Sequence, residues 1–320
     1  MRELDKDRHV SSSAGTFRLD PELAAISVLI PDFDLRNVED ARRLEEQLAD
    51  QGRQPVPGVF TEDLRIPRRD GGELALRLYR PHRAEHLPVI LYLHGGAFML
   101  GSLSTEDDRC GFYARDAQCL VVAVDYRLAP EHAYPAAFHD AVDALAWIQT
   151  QARNLRIDAR RIAVGGNSAG GALAAALALE SRSAAVPSLV HQLLINPALD
   201  HRGSSASMNI FTSTPGWTRD NNALMWQTYL SGTTTIDYRA SPALVADASG
   251  APPASIWIAE YDPLRDEGYD YARALMNAGV QVGLIQYPGT IHGFDSYRMT
   301  SVGQRALSDQ ILALRRAFRT

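Results

Sequence analysis

Apolar positions change period along the chain. Between Phe60 and Tyr79 they alternate, as in LALRLYRP, and Gly71-Gly72 separates two alternating runs, which predicts a β-hairpin. Beyond it, short apolar runs are divided by helical stretches. The runs are VILYLH (Val89–His94), LVVAVDY (Leu120–Tyr126), RIAVGG (Arg161–Gly166), HQLLIN (His191–Asn196), SIWIAE (Ser255–Glu260) and VGLIQYP (Val282–Pro288). Strands that are apolar throughout and alternate with helices belong to a parallel sheet covered on both sides, so the fold class is α/β, doubly wound.

Two segments break this rhythm. Residues 1–55 are rich in helix signals: Asp20-Pro21 reads as an N-cap with proline at the first helical position, and Asn37 as the cap of VEDARRLEEQLADQG, which ends at Gly52. Residues 200–232 interrupt the strands with a polar loop followed by a helix expected to start at Thr218. An insertion this long inside a compact domain usually serves function, often as a lid. The predicted organisation is therefore N-terminal helices over 1–55 and a catalytic-size domain over 56–320 that carries the insertion.

The 320 residues are 46% apolar and 22% charged, enough for a large buried core. A formal net charge of −6 leaves no basic footprint, which argues against nucleic acid or an anionic membrane surface as a partner. The start, MRELDKDRHVSSSAG, lacks an apolar core followed by a cleavage site, and no segment is long and apolar enough to span a bilayer, so a cytoplasmic protein is expected. The two cysteines, Cys110 and Cys119, fall in CGFYARDAQC on a predicted helix and suit reduced core thiols.

In GGNSAGGAL (Gly165–Leu173) four glycines surround Ser168, where the strand RIAV ends and a helical run begins. Gly166 to Gly170 fit G-x-S-x-G, the strand-turn-helix setting that exposes a serine hydroxyl at the C-terminal edge of a sheet. Alone the motif also fits a tight or phosphate-binding turn, so its partners decide. A serine hydroxyl is a weak nucleophile and needs a base within reach and an acid to orient that base, here in the chain order serine, acid, histidine. His292 in PGTIHGF follows the last strand. Asp262 in EYDPLRDEG comes first after the strand SIWIA; its rivals are Glu260 and Asp266, the latter placed to cap the helix beginning EGYDYARAL. LHGGAF, after the strand VILYL, offers main-chain N–H groups for an oxyanion, and the N–H of Ala169 offers another.

Taken in order, HGGAF, DYRLAPEHAYPAAFHDA, GGNSAGG, DPLRDEG and IHGF resemble the bacterial hormone-sensitive lipase-like carboxylesterases, family IV of the α/β-hydrolase fold, over nearly the whole chain. LDPELAA, STPGW and YPGTIHG look most like acetyl esterases of the heroin esterase kind. The resemblance implies a mostly parallel eight-stranded sheet with helices on both faces, and a helical cap built from residues 1–55 and the insertion after the sixth strand. It implies Ser168 as nucleophile, His292 as base and acid, Asp262 as orienting acid, and the N–H groups of Gly96, Ala97 and Ala169 as oxyanion donors, with Gly95 shaping the loop. It implies short- to medium-chain carboxylic esters as small-molecule substrates, no metal or cofactor, and a homodimer through the last strand and helix. Two positions depart from the family pattern. Ala97 stands where glycine is common, and Asn167 where aspartate or threonine is, which marks Asn167 as a tuning residue beside the nucleophile. Alternatives are an amidase or aryl formamidase with the same triad, or a non-catalytic ligand-binding relative. Residues Arg127 and Glu131 are available for an ion pair beneath the oxyanion loop, while Phe211, Trp217 and Met225 read as packing. Activity is expected to fall on the acid side as the base takes up a proton, at about pH 6 to 7 for an ordinary histidine.

Overall fold

The apolar runs are strands of one sheet. The computed structural model describes residues 10–12, 15–31, 33–52, 54–82, 86–184 and 186–319; most of the polar start MRELDKDRHVSSSAG, expected to hold no leader, lies outside them. The strands are β1 (Val59–Pro67), β2 (Glu73–Pro81), β3 (Leu87–Leu93), β4 (Leu120–Asp125), β5 (Ile157–Asn167), β6 (His191–Ile195), β7 (Ala254–Ala259) and β8 (Val282–Tyr287). They lie in the order β8-β7-β6-β5-β3-β4-β2-β1. β1 and β2 form the predicted antiparallel hairpin, closed by Gly71 at φ +86°, and β2 also runs antiparallel to β4. All other pairings are parallel.

The sheet divides the core into two layers. Along β4, Leu120, Val122 and Val124 face one cluster, while Val121 and Ala123 face the other. α4 (Ala136–Thr150), α5 (Ala169–Glu180) and α8 (Arg265–Asn277) supply the first layer, and α3 (Asp107–Ala117) and α9 (Ser301–Ala317) the second. Burial on both faces explains why these strands read as unbroken apolar runs. β5 begins four residues before the run that predicts it. Its first part, IDAR, breaks the apolar run with Asp158 and an exposed Arg160, and meets β3 across a register shift between Leu87 and Val89. β8 is the sheet edge, with alternate residues half-exposed.

Outside the sheet, α1 (Pro21–Ile26) has the predicted cap: the Asp20 carboxylate accepts from the N–H of Glu22 at 2.9 Å and of Leu23 at 3.4 Å. α2 (Val38–Gly52) starts directly after Asn37, whose carbonyl accepts the Ala41 N–H. Between β6 and β7 lie α6 (Ala206–Ile210), a short hairpin of Ser213–Thr214 with Trp217–Thr218, and α7 (Arg219–Tyr229), which starts one residue after the expected Thr218 because the Thr218 hydroxyl caps it. One expectation fails: Cys119 is not helical. The helix carrying Cys110 stops at Ala117, because Gln118 turns to φ +55°, and Cys119 leads into β4. Both thiols are buried and free. Among the described residues, no helix is long and apolar enough to cross a membrane.

Candidate active site

Ser168 occupies the corner between β5 and α5 with φ +55° and ψ −117°, a backbone that L-residues adopt only under constraint. Three main-chain bonds hold it there. Its N–H donates to the Ile195 carbonyl at 2.8 Å, and its own carbonyl accepts from Ala172 and Ala198, both at 3.1 Å. The glycines are explained by their surroundings. A methyl group on Gly166 would come within 3.0 Å of the Leu93 carbonyl and Gly170 main chain, and one on Gly170 within 3.0 Å of the Leu93 and His94 carbonyls. β5 and α5 can cross the end of β3 only because these positions carry no side chain.

The two loops at the C-terminal ends of β7 and β8 bring the other partners. His292 Nε2 lies 3.0 Å from Ser168 Oγ, and His292 Nδ1 lies 2.8 Å from Asp262 Oδ2. The other oxygen of Asp262 accepts the Leu264 N–H at 2.9 Å. A carboxylate offers only acceptors, so it fixes the hydrogen on Nδ1 and leaves the Nε2 lone pair to the serine hydroxyl. Asp262 is 1% exposed, shielded from water that would compete for the imidazole. The rival acids are engaged elsewhere. Glu260 accepts the Gly289 N–H at 2.6 Å. Asp266 does not cap α8, which starts one residue earlier; it accepts the N–H of Ser207 in the first turn of α6 at 2.7 Å and so ties the insertion to the domain.

The loop after β3 faces the serine corner. Gly96 has φ +112°, and its carbonyl accepts from Met99 at 2.9 Å and Leu100 at 2.7 Å, which folds 95–101 back on itself. Ala97 is also left-handed, φ +56°, where a glycine would cost about 1 kcal/mol less. No hydrogen bond to another described residue occupies the N–H groups of Gly96, Ala97 or Ala169. The loop is braced from below: the His94 ring stacks on Tyr126 at 4.2 Å, the Tyr126 hydroxyl donates to the His94 carbonyl at 2.8 Å, and the Ala129 N–H donates to the Phe98 carbonyl at 2.8 Å. Burial pushes the His94 imidazole below its ordinary range.

Arg127 and Glu131 do not pair. The Arg127 guanidinium chelates Asp140 and reaches Asp70, because α4 brings Asp140 under the turn. Glu131 pairs instead with Arg42 of α2, at 2.7 and 2.9 Å, and this pulls its carboxyl down to about 2. Arg42 also donates to the carbonyls of Met99 at 2.8 Å and Ala129 at 3.0 Å, and Glu45, one turn on, accepts the Gly101 N–H at 2.6 Å. Burial pushes the Glu45 carboxyl up to about 7. α2 thus grips the loop from above. From the sequence, both residues look like solvated charges on an amphipathic helix; only the i, i+3 spacing hints that they share a face.

The insertion closes over the histidine. The Trp217 ring sits 5.7 Å from that of His292, and Gly216 meets the His292 carbonyl on one side and Ile30 on the other. Phe211 packs against Phe17 and Tyr261, and Met225 is wholly buried, as expected of packing residues. Within the insertion is a cavity of about 560 Å³, lined by Met208, Arg219, Asn222, Trp226 and Leu230 among others; none of Ser168, Asp262 and His292 lines it. Its Trp226 also meets Phe98 of the loop, at 5.5 Å between rings.

A sheet wound in this order with a serine at the β5–α5 corner defines the class. The chain belongs to the alpha/beta hydrolase fold family, whose profile matches residues 90–296. The resemblance to its hormone-sensitive lipase-like branch holds against individual proteins. The chain is 39% identical to the ethyl acetate hydrolase of Pseudomonas putida over 90% of this chain and 95% of that protein, and 39% identical to the carboxylesterase NlhH of Mycobacterium tuberculosis over 82% and 86%. It superposes on the solved structure of a bacterial heroin esterase with a TM-score of 0.92 at 38% identity, covering 95% and 99% of the two chains.

Proposed function

We propose that the chain hydrolyses short- to medium-chain carboxylic esters through an acyl-enzyme on Ser168. That it is a carboxylic ester hydrolase follows from its relatives, named as esterases over most of its length. The residue assignment rests on one observation, the continuous chain from Ser168 Oγ to His292 to Asp262 at 3.0 and 2.8 Å. His292 takes the serine proton as the hydroxyl attacks the ester carbon. Gly96, Ala97 and Ala169 hold the oxyanion through their N–H groups, with Gly95 helping to shape the loop. The alcohol departs with the proton from His292, and water repeats the cycle on the acyl group. Each oxyanion donor of this kind is worth about 3 to 4 kcal/mol in the transition state.

The substrate range is read from the covering segments. Ile30 of the N-terminal segment and Gly216 and Trp217 of the insertion come together beside His292, which supports a cap that favours compact acyl groups such as acetyl over long triglycerides. The buried free thiols fit a reducing, cytoplasmic setting. The exposed edge of β8, with Ile285 40% accessible, supports a homodimer that continues the sheet. Light scattering would give the dimer mass.

The test is Ser168→Ala, with p-nitrophenyl acetate turnover and organophosphate labelling as readouts. Both vanish while circular dichroism is unchanged; turnover retained in a clean preparation refutes the nucleophile. A matched ester and amide of one acyl group separates esterase from amidase.

A further inference from the structure

A buried polar cluster lies behind the candidate triad, and the proposed chemistry leaves it unused. Asn167, directly before Ser168 and 8% exposed, donates its side-chain N–H to Glu106 Oε1 at 3.1 Å. A methyl group on Gly95 of the oxyanion loop would lie 3.5 Å from that same nitrogen. The other oxygen of Glu106 accepts from Arg109 Nε at 2.5 Å. Arg109 is 0% exposed; its Nη1 donates to Asp295 at 2.6 Å and Gln310 at 3.0 Å, and its Nη2 to the Ser296 hydroxyl at 3.3 Å. Asp295 and Ser296 come three and four residues after His292, and Asp295 also accepts from Asn196, next to β6, at 3.4 Å.

Stability alone does not call for such a cluster, since replacing a buried ion pair by apolar groups is often neutral or stabilising. Its endpoints set it apart: one meets the nucleophile corner and the oxyanion loop, the other the loop that carries the histidine. We propose that Asn167, Glu106, Arg109 and Asp295 are positioning residues, a hydrogen-bonded chain that holds Ser168, the Gly95–Ala97 loop and His292 in register. The proposal rests on the triad assignment above. It also accounts for the asparagine. Glu106 is an acceptor whose second oxygen is committed to Arg109, so its partner beside the serine must donate, which an amide does and an aspartate carboxylate does not.

The test is a charge swap, assayed as kcat per site titrated with an organophosphate. N167D sets two carboxylates face to face in a buried site; one must hold a proton or both must move apart. kcat per site falls by about 10- to 100-fold at pH 8 and by less at pH 5, adding an alkaline limb to the pH profile, with KM changed by less than about threefold. N167D/E106Q reverses the polarity at constant total charge, brings kcat to within about threefold of wild type and removes the limb. The other charged or titratable groups facing Glu106 are Arg109, Arg298, Glu45, His94, Cys110 and the buried Tyr92, Tyr113 and Tyr126, and they are the same in both variants. A purely structural role lowers Tm but leaves kcat per site and its pH profile unchanged; that result overturns the proposal, as does a double variant no better than N167D. Should N167D not fold, a folded and active double variant upholds the pairing, and an inactive one overturns it. If wild-type protein takes no organophosphate on Ser168, the triad assignment has failed, and the network has not been what failed.

Discussion

His191 opens β6 with its ring 7% exposed and Nε2 3.0 Å from the Ser255 hydroxyl. Burial pushes its imidazole down to about 4, from an ordinary value near 6.5. Below pH 6.5 the unfolded chain therefore takes a proton that the folded chain refuses. The stability tied to this residue is complete above pH 6.5 and is lost as the pH falls towards 4. Linking the two values gives a loss of about 2 kcal/mol at pH 5 and about 3 kcal/mol at pH 4. Gln at this position can keep a hydrogen bond to Ser255 without titrating. Urea unfolding of wild type and His191→Gln at pH 7, 5 and 4 isolates the residue, because every other acid-labile group is common to both. The wild type should lose about 3 kcal/mol more than the variant between pH 7 and 4. Parallel losses would show that the ring accepts a proton in place and that burial does not govern it.

Other outcomes follow from the same geometry. Gly170→Ala should abolish soluble expression or activity, since its methyl group meets the main-chain carbonyls of Leu93 and His94, whereas Gly95→Ala, with ordinary contacts at 3.4 Å and beyond, should keep most turnover. Arg42→Met removes the grip of α2 on the Met99 and Ala129 carbonyls and should lower kcat/KM about tenfold with secondary structure intact. For Glu45, the folded carboxyl holds its proton to about pH 7, so the stability linked to that proton is full below about pH 4.5 and lost as the pH rises through 7. Melting curves from pH 5 to 9 should fall more steeply for wild type than for Glu45→Gln. A p-nitrophenyl ester series should peak between acetyl and about octanoyl; a preference for palmitoyl would refute the cap reading.

Local chemistry made much of this legible. The two-faced apolar runs gave β3 through β7, because burial on both sides suppresses alternation, and Asp20 announced its helix through capping. The serine corner, Asp262 and His292 could be found because each sits at the end of a strand, where a parallel sheet places its loops. What the pattern concealed were contacts across long separations. Arg109 has the surroundings of a surface residue in DDRCGFYAR, yet its partners Asp295 and Gln310 lie some 190 residues away and bury it. Arg127 had Glu131 close in sequence, but α4 brings Asp140 closer in space. Arg42 and Glu45 likewise acquire meaning only once α2 folds back over the loop after β3.

The grip of α2 has a consequence for how such an enzyme can change. Arg42 and Glu45 of α2 hydrogen-bond the loop that we propose carries the oxyanion donors, so substitutions on this helix that shift the loop should disturb the turnover of every ester together. The 200–232 insertion touches the histidine through Trp217 and the loop through Trp226, but it makes none of the α2 hydrogen bonds to the loop carbonyls. Selection for new substrates therefore has a freer field on the insertion, and libraries aimed at altered specificity are best built there, with Arg42 and Glu45 held constant.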